Sequence, residues 1–261
     1  MVLSLPRRRF SLAQLAVPLI TTFVIGVVGM GCSSTKSADG VQTVEDVFRE
    51  AMVAFEDGNW LEATAKFDII KLQYPASPVA DDAQYYLAEI NYKRSEYILA
   101  AYNYQMVRRQ FPNSEFAKTS LLKAADCYYQ LAPPPDRDQD YTNKAIQAYS
   151  EFQAVFPTDS LALIALGRIQ ELRSRLAQKL IDAATHYVNT GSLKAAIVYY
   201  DAVVAEYADT PVVEDALLGK LDVLVQQKKV DEARSVVALY KKLIRSPNRK
   251  GDFDALAQPL R

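Results

Sequence analysis

From residue 44 onward, hydrophobic residues recur at intervals of three and four positions, the spacing of one helix face. The first residues that follow this period are Val44, Val47, Phe48, Ala51 and Phe55. The polar triplet Asp57-Gly58-Asn59 interrupts the period, which resumes from Trp60 to Gln73. The pattern therefore predicts two helices joined by a tight turn.

The second helix of this hairpin carries a spacing that recurs: a small residue, an aromatic four positions later, and a proline eight positions beyond that. The copies are Ala63/Phe67/Pro75, Ala100/Tyr104/Pro112, Ala145/Tyr149/Pro157 and, without the proline, Ala196/Tyr200/Ala208. Four residues make about one helical turn, so the small residue and the ring share a face, and the proline ends the helix. We call this recurring spacing of small residue, aromatic and proline the mark. It resembles the second helix of the tetratricopeptide repeat.

The hydrophobic pattern as a whole predicts an all-α fold, a tetratricopeptide-like α-solenoid of about five helix hairpins. Three hairpins occupy residues 44–157, with an insert near 132–140, and further repeats occupy 158–245. The marks are separated by 37, 45 and 51 residues, against about 34 in a regular repeat. The last excess has a visible source, because residues 160–188 contain no proline and predict one long helix. Residues 246–261 are expected to form a disordered tail.

The first 31 residues are typical of an export signal, because Arg7-Arg8-Arg9 precedes an apolar run from residue 12 to 28. Cys32 follows this run and precedes small polar residues, an arrangement that resembles a lipoprotein signal in which the cysteine is acylated. Gly29 departs from the leucine usual in such signals. An ordinary signal peptide or a retained anchor stays open, as does export by the twin-arginine route. Residues 32–43 are predicted to be a flexible tether.

Charge and cysteine content exclude several classes of protein. Beyond the signal, 27 Lys and Arg face 31 Asp and Glu, so the body is mildly acidic and nucleic acid is not an expected partner. Two cysteines are too few for a disulfide framework.

Few residues could carry catalysis or hold a metal. Asp136, Asp138 and Asp140 alternate as in a calcium loop, but Tyr141 and Gln147 stand where that loop requires Gly and Glu. His186 is the only histidine, so no histidine-based triad can form. Cys127 lies among alanines and is expected to be buried. We expect no enzyme activity, no metal and no cofactor besides a covalent lipid on Cys32.

The remaining candidates are surface residues for binding peptides or partners. If Ala88 is the small packing position of its helix, a peptide-binding groove would be lined by Tyr85, Glu89, Tyr92, Asp126 and Tyr129. The alternative is that these rings pack between hairpins. On the long helix, a basic stripe is formed by Arg168, Arg175 and Lys179. This stripe is either a solvated face or a docking site for an acidic partner.

Three short segments, in this order and spacing, resemble the BamD family of outer-membrane lipoproteins. They are Asp57-Gly58-Asn59-Trp60 with Tyr74-Pro75, Asp136-Arg137-Asp138, and Arg173-Ser174-Arg175-Leu176-Ala177. The resemblance covers residues 32–245. It implies a non-enzymatic scaffold, lipid-anchored on the periplasmic face of the outer membrane, that belongs to the β-barrel assembly complex together with other lipoproteins.

In that family, the amino-terminal repeats receive unfolded outer-membrane proteins and the carboxy-terminal repeats dock the periplasmic domains of the barrel protein BamA. The resemblance therefore implies that Arg175 and its neighbours Arg168 and Lys179 contact the barrel protein, together with the 136–138 segment (Asp136, Arg137, Asp138). A periplasmic adaptor of the Tol–Pal type, like CpoB, is the alternative. The uneven intervals and Cys32 speak against it.

Overall fold

The computed structural model describes residues 42–260, and the predicted signal, the predicted acylation site Cys32 and nearly all of the predicted tether lie outside them. Within this range the chain forms eleven α-helices and no strand. Their bounds are α1 Val44–Glu56, α2 Trp60–Gln73, α3 Ala80–Lys93, α4 Tyr97–Gln110, α5 Phe116–Leu131, α6 Asp140–Val155, α7 Ser160–Asn189, α8 Leu193–Glu206, α9 Val213–Gln226, α10 Val230–Leu243 and α11 Lys250–Ala257. A short 3-10 turn, Gln258–Leu260, follows α11.

Each helix from α1 to α10 packs against its neighbours in the chain, so the first ten helices form five successive hairpins. At two junctions the first helices of adjacent hairpins also contact each other, α3 with α5 and α7 with α9. We call the odd-numbered helices α1 to α9 the first helices and the even-numbered α2 to α10 the second helices. The predicted all-α hairpin solenoid is therefore confirmed.

The recurring mark is the packing centre of each of the first four hairpins. Its small residues and rings are at most 6% exposed: Ala63, Ala100, Ala145, Ala196, Phe67, Tyr104, Tyr149 and Tyr200. All four second helices end on an aromatic with φ between −127° and −129°. The carbonyl of that residue then accepts a hydrogen bond from the N–H three positions on, which closes a turn. Tyr207 ends α8 in the same way without a following proline, so the proline reinforces this ending but is not required for it.

The turn inside a hairpin is also repeated. In hairpins one, two, four and five, one residue has positive φ, namely Gly58, Ser95, Gly191 and Lys228. The next N–H bonds the carbonyl five positions back, as Asn59 does with Ala54 and Lys229 with Leu224. This left-handed closure satisfies carbonyls that a helix end leaves free. The third hairpin replaces it with the segment from Ala132 to Gln139.

The long helix α7 extends for 30 residues, about 45 Å, and is shared by two hydrophobic cores. Its first half contributes Ala165 and Leu172 to the core built around Tyr149. Its second half contributes Ala177 and Ala184 to the core around Tyr200. One helix thus joins the third and fourth hairpins without a break.

The prediction of a disordered tail is wrong for most of its length, because α11 closes the end of the solenoid. Glu214 is only 4% exposed and accepts hydrogen bonds from the Tyr240 hydroxyl at 2.7 Å and from the backbone N–H groups of Asn248 and Arg249. The Phe253 ring stacks on Tyr240 with centroids 4.0 Å apart. One buried carboxylate therefore holds a segment whose composition alone indicates a loose end.

Candidate functional site

The predicted groove residues occupy different environments, and Tyr85 lies in the core. It is 9% exposed, and its ring stacks on Phe116 with centroids 4.2 Å apart. The structure therefore places this ring between hairpins, as the alternative expected, and a groove contact through Tyr85 is wrong.

Glu89 and Asp126 accept hydrogen bonds from the aromatic residues of the mark. The hydroxyl of Tyr104 donates to Glu89, and that of Tyr149 donates to Asp126. The Lys123 ammonium also pairs with Glu89, so this carboxylate is occupied by two donors of the fold, the Tyr104 hydroxyl and the Lys123 ammonium. Burial raises the pKa of Asp126, although the Tyr149 hydrogen bond and the charge of Arg168 oppose that rise.

These two pairs follow a rule that the sequence contains but our prediction missed. In hairpins one, two and four, a small residue of the first helix precedes the mark alanine by twelve positions, and the residue after it takes the place that Glu89 has in the second hairpin. Glu89 accepts from Tyr104, and Asp126 accepts from Tyr149 across the longer third hairpin. Met52 holds this position in hairpin one, where it packs against the core that contains Phe67, and Thr185 holds it in hairpin four. A hydroxyl on the ring is matched by an oxygen on the first helix. The ring without a hydroxyl is matched by methionine.

Tyr92 and Tyr129 are partly exposed on the first helices. The side-chain amide of Gln130 lies 3.4 Å from the Tyr92 hydroxyl and bridges α5 to α3. The Tyr92 ring meets Tyr97 edge-on, with centroids 5.4 Å apart. Of the five predicted groove residues, these two tyrosines keep surface that a peptide could contact.

Tyr129 is also the point where the groove residues meet the predicted basic stripe. The guanidinium of Arg168 lies 4.2 Å from the Tyr129 ring centroid, and that of Arg175 lies 5.3 Å from it. The Tyr129 hydroxyl donates to Glu171 at 2.7 Å, and Arg175 pairs with the same carboxylate at 2.8 Å. Two residue sets 39 to 46 positions apart in the sequence therefore form one cluster.

Glu171 was not predicted, although it lies between Arg168 and Arg175 on the same face of α7. Burial alone would raise the pKa of Glu171, but the hydrogen bonds from Tyr129 and Arg175 lower it below its usual range. Burial and the contact with Glu171 raise the pKa of Tyr129. The cluster therefore consists of two guanidinium groups and one carboxylate around the Tyr129 ring. The spacing of Arg168, Glu171 and Arg175, three and four residues apart on α7, was the sequence signal that could have identified Glu171.

The predicted loop residues lie beside this cluster. The Lys179 ammonium donates to the backbone carbonyl of Arg137 at 2.6 Å, and Arg175 reaches the carbonyl of Ala132 at 3.4 Å. Asp136, Arg137 and Asp138 are exposed. We call the exposed surface formed by Lys179, Arg175 and residues 136–138 the loop–helix surface.

The neighbouring Arg173 makes its contacts at the end of α8. Its guanidinium donates twice to the Asp209 carboxylate, at 2.9 and 2.7 Å, and lies 5.2 Å from the Tyr207 ring centroid. Arg173 therefore fastens α7 to the end of α8, whereas Arg175 faces the third hairpin.

Within residues 42–260, the side chains offer little chemistry beyond binding. Burial raises the pKa of the Cys127 thiol to about 12, so it is a packed residue rather than a nucleophile. No three His, Cys, Asp or Glu residues of this range are grouped as metal ligands. None of the helices described is both long and apolar enough to cross a bilayer.

Comparison with solved structures finds tetratricopeptide-repeat proteins with low overall similarity. The repeat domain of P58(IPK) is 14% identical, with a TM-score of 0.42 over 83% of this chain and 55% of that one. A repeat protein from Parabacteroides merdae is 14% identical, with a TM-score of 0.38 over 83% and 85% of the two chains. At such scores, the fold assignment rests on the helix pairing described above.

Comparison of sequences is more informative. Among curated proteins, the outer membrane protein assembly factor BamD of Neisseria gonorrhoeae is 25% identical over 215 residues, 76% of this chain and 80% of that protein. The protein of the same name from Xylella fastidiosa is 24% identical over 241 residues, 87% and 82% of the two chains. The model of the YfiO family, described as outer membrane lipoprotein, matches residues 41–236. Because that match spans most of the chain, the protein belongs to the YfiO family of outer membrane lipoproteins.

Proposed function

We propose that this protein is a non-enzymatic assembly factor of the outer membrane. In this proposal, its amino-terminal hairpins receive unfolded outer-membrane proteins, and its carboxy-terminal hairpins dock the periplasmic domains of a BamA-like barrel protein. The observation that carries the proposal is the family match over residues 41–236, together with relatives that are named outer membrane protein assembly factor.

The geometry of α7 supports a docking role for the loop–helix surface. A docking surface needs side chains held at fixed positions, because each mobile side chain loses conformational entropy on binding. Arg175 is held by Glu171 and the Tyr129 ring, and Lys179 by the Arg137 carbonyl. The shared helix in turn fixes this surface relative to the fourth hairpin.

The substrate role rests on the partly exposed tyrosines of the first helices. Tyr92 and Tyr129 offer rings that bury area at low entropic cost and hydroxyls that can bond a peptide backbone. The Tyr92 hydroxyl has a long contact of 3.4 Å to Gln130, whereas the Tyr129 hydroxyl is occupied at 2.7 Å by Glu171, so Tyr129 would contribute mainly its ring. Glu89 and Asp126 contribute by fixing α3 and α5 against the second helices.

The anchor in this proposal is an acyl chain on Cys32. Cys32 lies twelve positions before Val44, where α1 begins, and the first residues after Cys32 are small and polar. The family description as outer membrane lipoprotein supports this assignment.

The experiment that tests the proposal is affinity capture of the full-length protein from detergent-solubilised outer membrane. We expect a barrel protein with POTRA domains to co-purify. The reversal Arg137→Glu with Lys179→Glu should reduce its recovery at least about fivefold, because two charges of the loop–helix surface change sign. The matched control is Lys194→Glu, an exposed charge on α8. Full recovery with the double variant, or capture of Tol–Pal proteins in place of the barrel protein, would overturn the proposal.

A further inference from the structure

The second helices of the first two hairpins both expose large apolar residues, and one pair of them, Leu61 and Ile98, is equivalent in the repeat. On α2, these are Leu61 (83% exposed), Ile69 (37%) and Leu72 (76%); on α4, they are Ile98 (59%), Leu99 (55%) and Tyr102 (56%). Counted from the mark alanines Ala63 and Ala100, Leu61 corresponds to Ile98, Ala65 to Tyr102 and Ile69 to Met106. We call the six exposed residues Leu61, Ile69, Leu72, Ile98, Leu99 and Tyr102 the outer apolar face.

The third hairpin shows that the fold does not require this face. Counted from Ala145, the corresponding residues of α6 are Asn143, Gln147 and Glu151, all polar and exposed. The helices α2 and α4, whose ends line one cavity, thus expose apolar residues at positions where α6 is polar. An exposed apolar patch marks an interaction site on soluble domains.

A cavity of about 500 Å³ lies where α2 and α4 end, and the outer apolar face runs into it. Leu72, Pro75 and Phe111 line it, and Gln84 contributes to its wall. Gln84 is 1% exposed; its amide nitrogen bonds Asn103, while its carbonyl oxygen accepts no hydrogen bond from residues 42–260. The cavity therefore offers an apolar lining together with a buried acceptor that lacks a donor.

The charges at this end of the face are basic. Lys71 lines the cavity, and Arg109 lies on α4 at the position equivalent to Leu72. Their neighbours Lys66 and Arg108 pair with Glu50 and Glu151, whereas Lys71 and Arg109 form no ion pair within the described residues. A partner with acidic residues at this edge would complement them.

We propose that the outer apolar face docks an amphipathic helix of a partner protein, with its apolar side between α2 and α4 and acidic residues near Lys71 and Arg109. The two parallel helices offer rows of apolar side chains at helical spacing, the arrangement into which a third helix packs. This surface lies on the second helices, away from the loop–helix surface and the tyrosines of the first helices. It therefore serves a partner other than the two in the proposed function.

The test is photo-cross-linking of the full-length protein in cells, with p-benzoylphenylalanine in place of Leu61 or Tyr102. The matched control carries the same probe in place of Gln147, the exposed residue of α6 that corresponds to Tyr102. We expect both outer positions to cross-link one segment of one protein, with apolar residues at helical spacing and neighbouring Asp or Glu. The control position should not cross-link that segment. Adding Lys71→Glu and Arg109→Glu should lower the yield about fivefold.

Adducts with phospholipid or with a second copy of this chain would overturn the proposal, and so would the absence of any adduct. A cross-linking yield that is unchanged by the charge reversal would also overturn it. Unchanged thermal unfolding of the charge-reversed protein shows that it is folded. Capture of the barrel protein, measured on the same variants, separates the two proposals. Lost cross-links with retained capture count against the outer apolar face alone, and retained cross-links with lost capture count against the proposed function alone.

Discussion

The first and second hairpins have nearly the same helix lengths and the same mark, but they bury its aromatic residue differently. Phe67 has no hydroxyl and lies in a core against which apolar Met52 packs, whereas Tyr104 requires an acceptor and obtains it from Glu89. Their turns differ too, with Gly58 in one and Ser95 in the other at the left-handed position. The comparison shows that the repeat specifies positions and pairings rather than residue types, and that Glu89 is in the second hairpin for a structural reason.

The largest effect is expected from breaking the polar pair of the second hairpin. Glu89→Met should lower the free energy of unfolding by about 2 kcal/mol, because the buried Tyr104 hydroxyl loses its acceptor. Adding Tyr104→Phe copies the first hairpin and should recover at least about 1 kcal/mol of that loss. Urea unfolding of the wild type, both single variants and the double variant measures this coupling.

The reciprocal exchange in the first hairpin is the control. Phe67→Tyr should destabilise the protein by placing a hydroxyl in an apolar core. Met52→Glu, added at the position that Glu89 holds in the second hairpin, should restore part of the loss. If the effects of the two substitutions simply add in either hairpin, the pairing rule is wrong.

A smaller effect is expected from exchanging the turn residues. Ser95→Gly should stabilise the protein by about 0.5–1 kcal/mol, because glycine adopts positive φ without a steric cost. Gly58→Ala should destabilise it by a similar amount, since a residue with a Cβ is strained at φ of +71°. The shift in unfolding midpoint measures both effects, and shifts of the same sign would contradict this account of the turns.

The smallest effect concerns pH and extends the comparison to the third hairpin. Burial raises the pKa of Asp126 in the folded protein. Ionisation of this carboxyl therefore destabilises the folded state as the pH rises from the pKa in the unfolded chain, about 3.9, through the pKa in the folded protein. Asp126→Asn keeps an acceptor for Tyr149 and removes this titration. The stability of the variant relative to wild type should therefore increase with rising pH across that window. Unfolding curves from pH 3 to pH 7 would show it, and a constant difference would contradict it.

The sequence predicted the fold well because its signals were local and repeated. The alanines and aromatics of the mark lie one turn apart, and all of them are buried as expected. The long helix was equally visible, since no proline interrupts residues 160–188, and it extends from Ser160 to Asn189.

The features that were missed depend on contacts between distant residues. Glu214 at the start of α9 is a charged residue of the kind expected at the surface. It nevertheless accepts hydrogen bonds from two backbone N–H groups 34 and 35 residues away, and so orders the tail. Tyr129 and Arg168 were predicted for two separate sites and belong to one cluster. No periodicity within one helix could reveal either contact.

The docking of the loop–helix surface on a barrel protein is the central claim of this account, and cross-linking from Lys179 in cells tests it most directly. With a photo-cross-linker in place of Lys179, we expect an adduct with the POTRA domains of the barrel protein. The same probe in place of Lys194 should give no such adduct. An adduct from Lys194 but not Lys179, or none from either position, would contradict the claim.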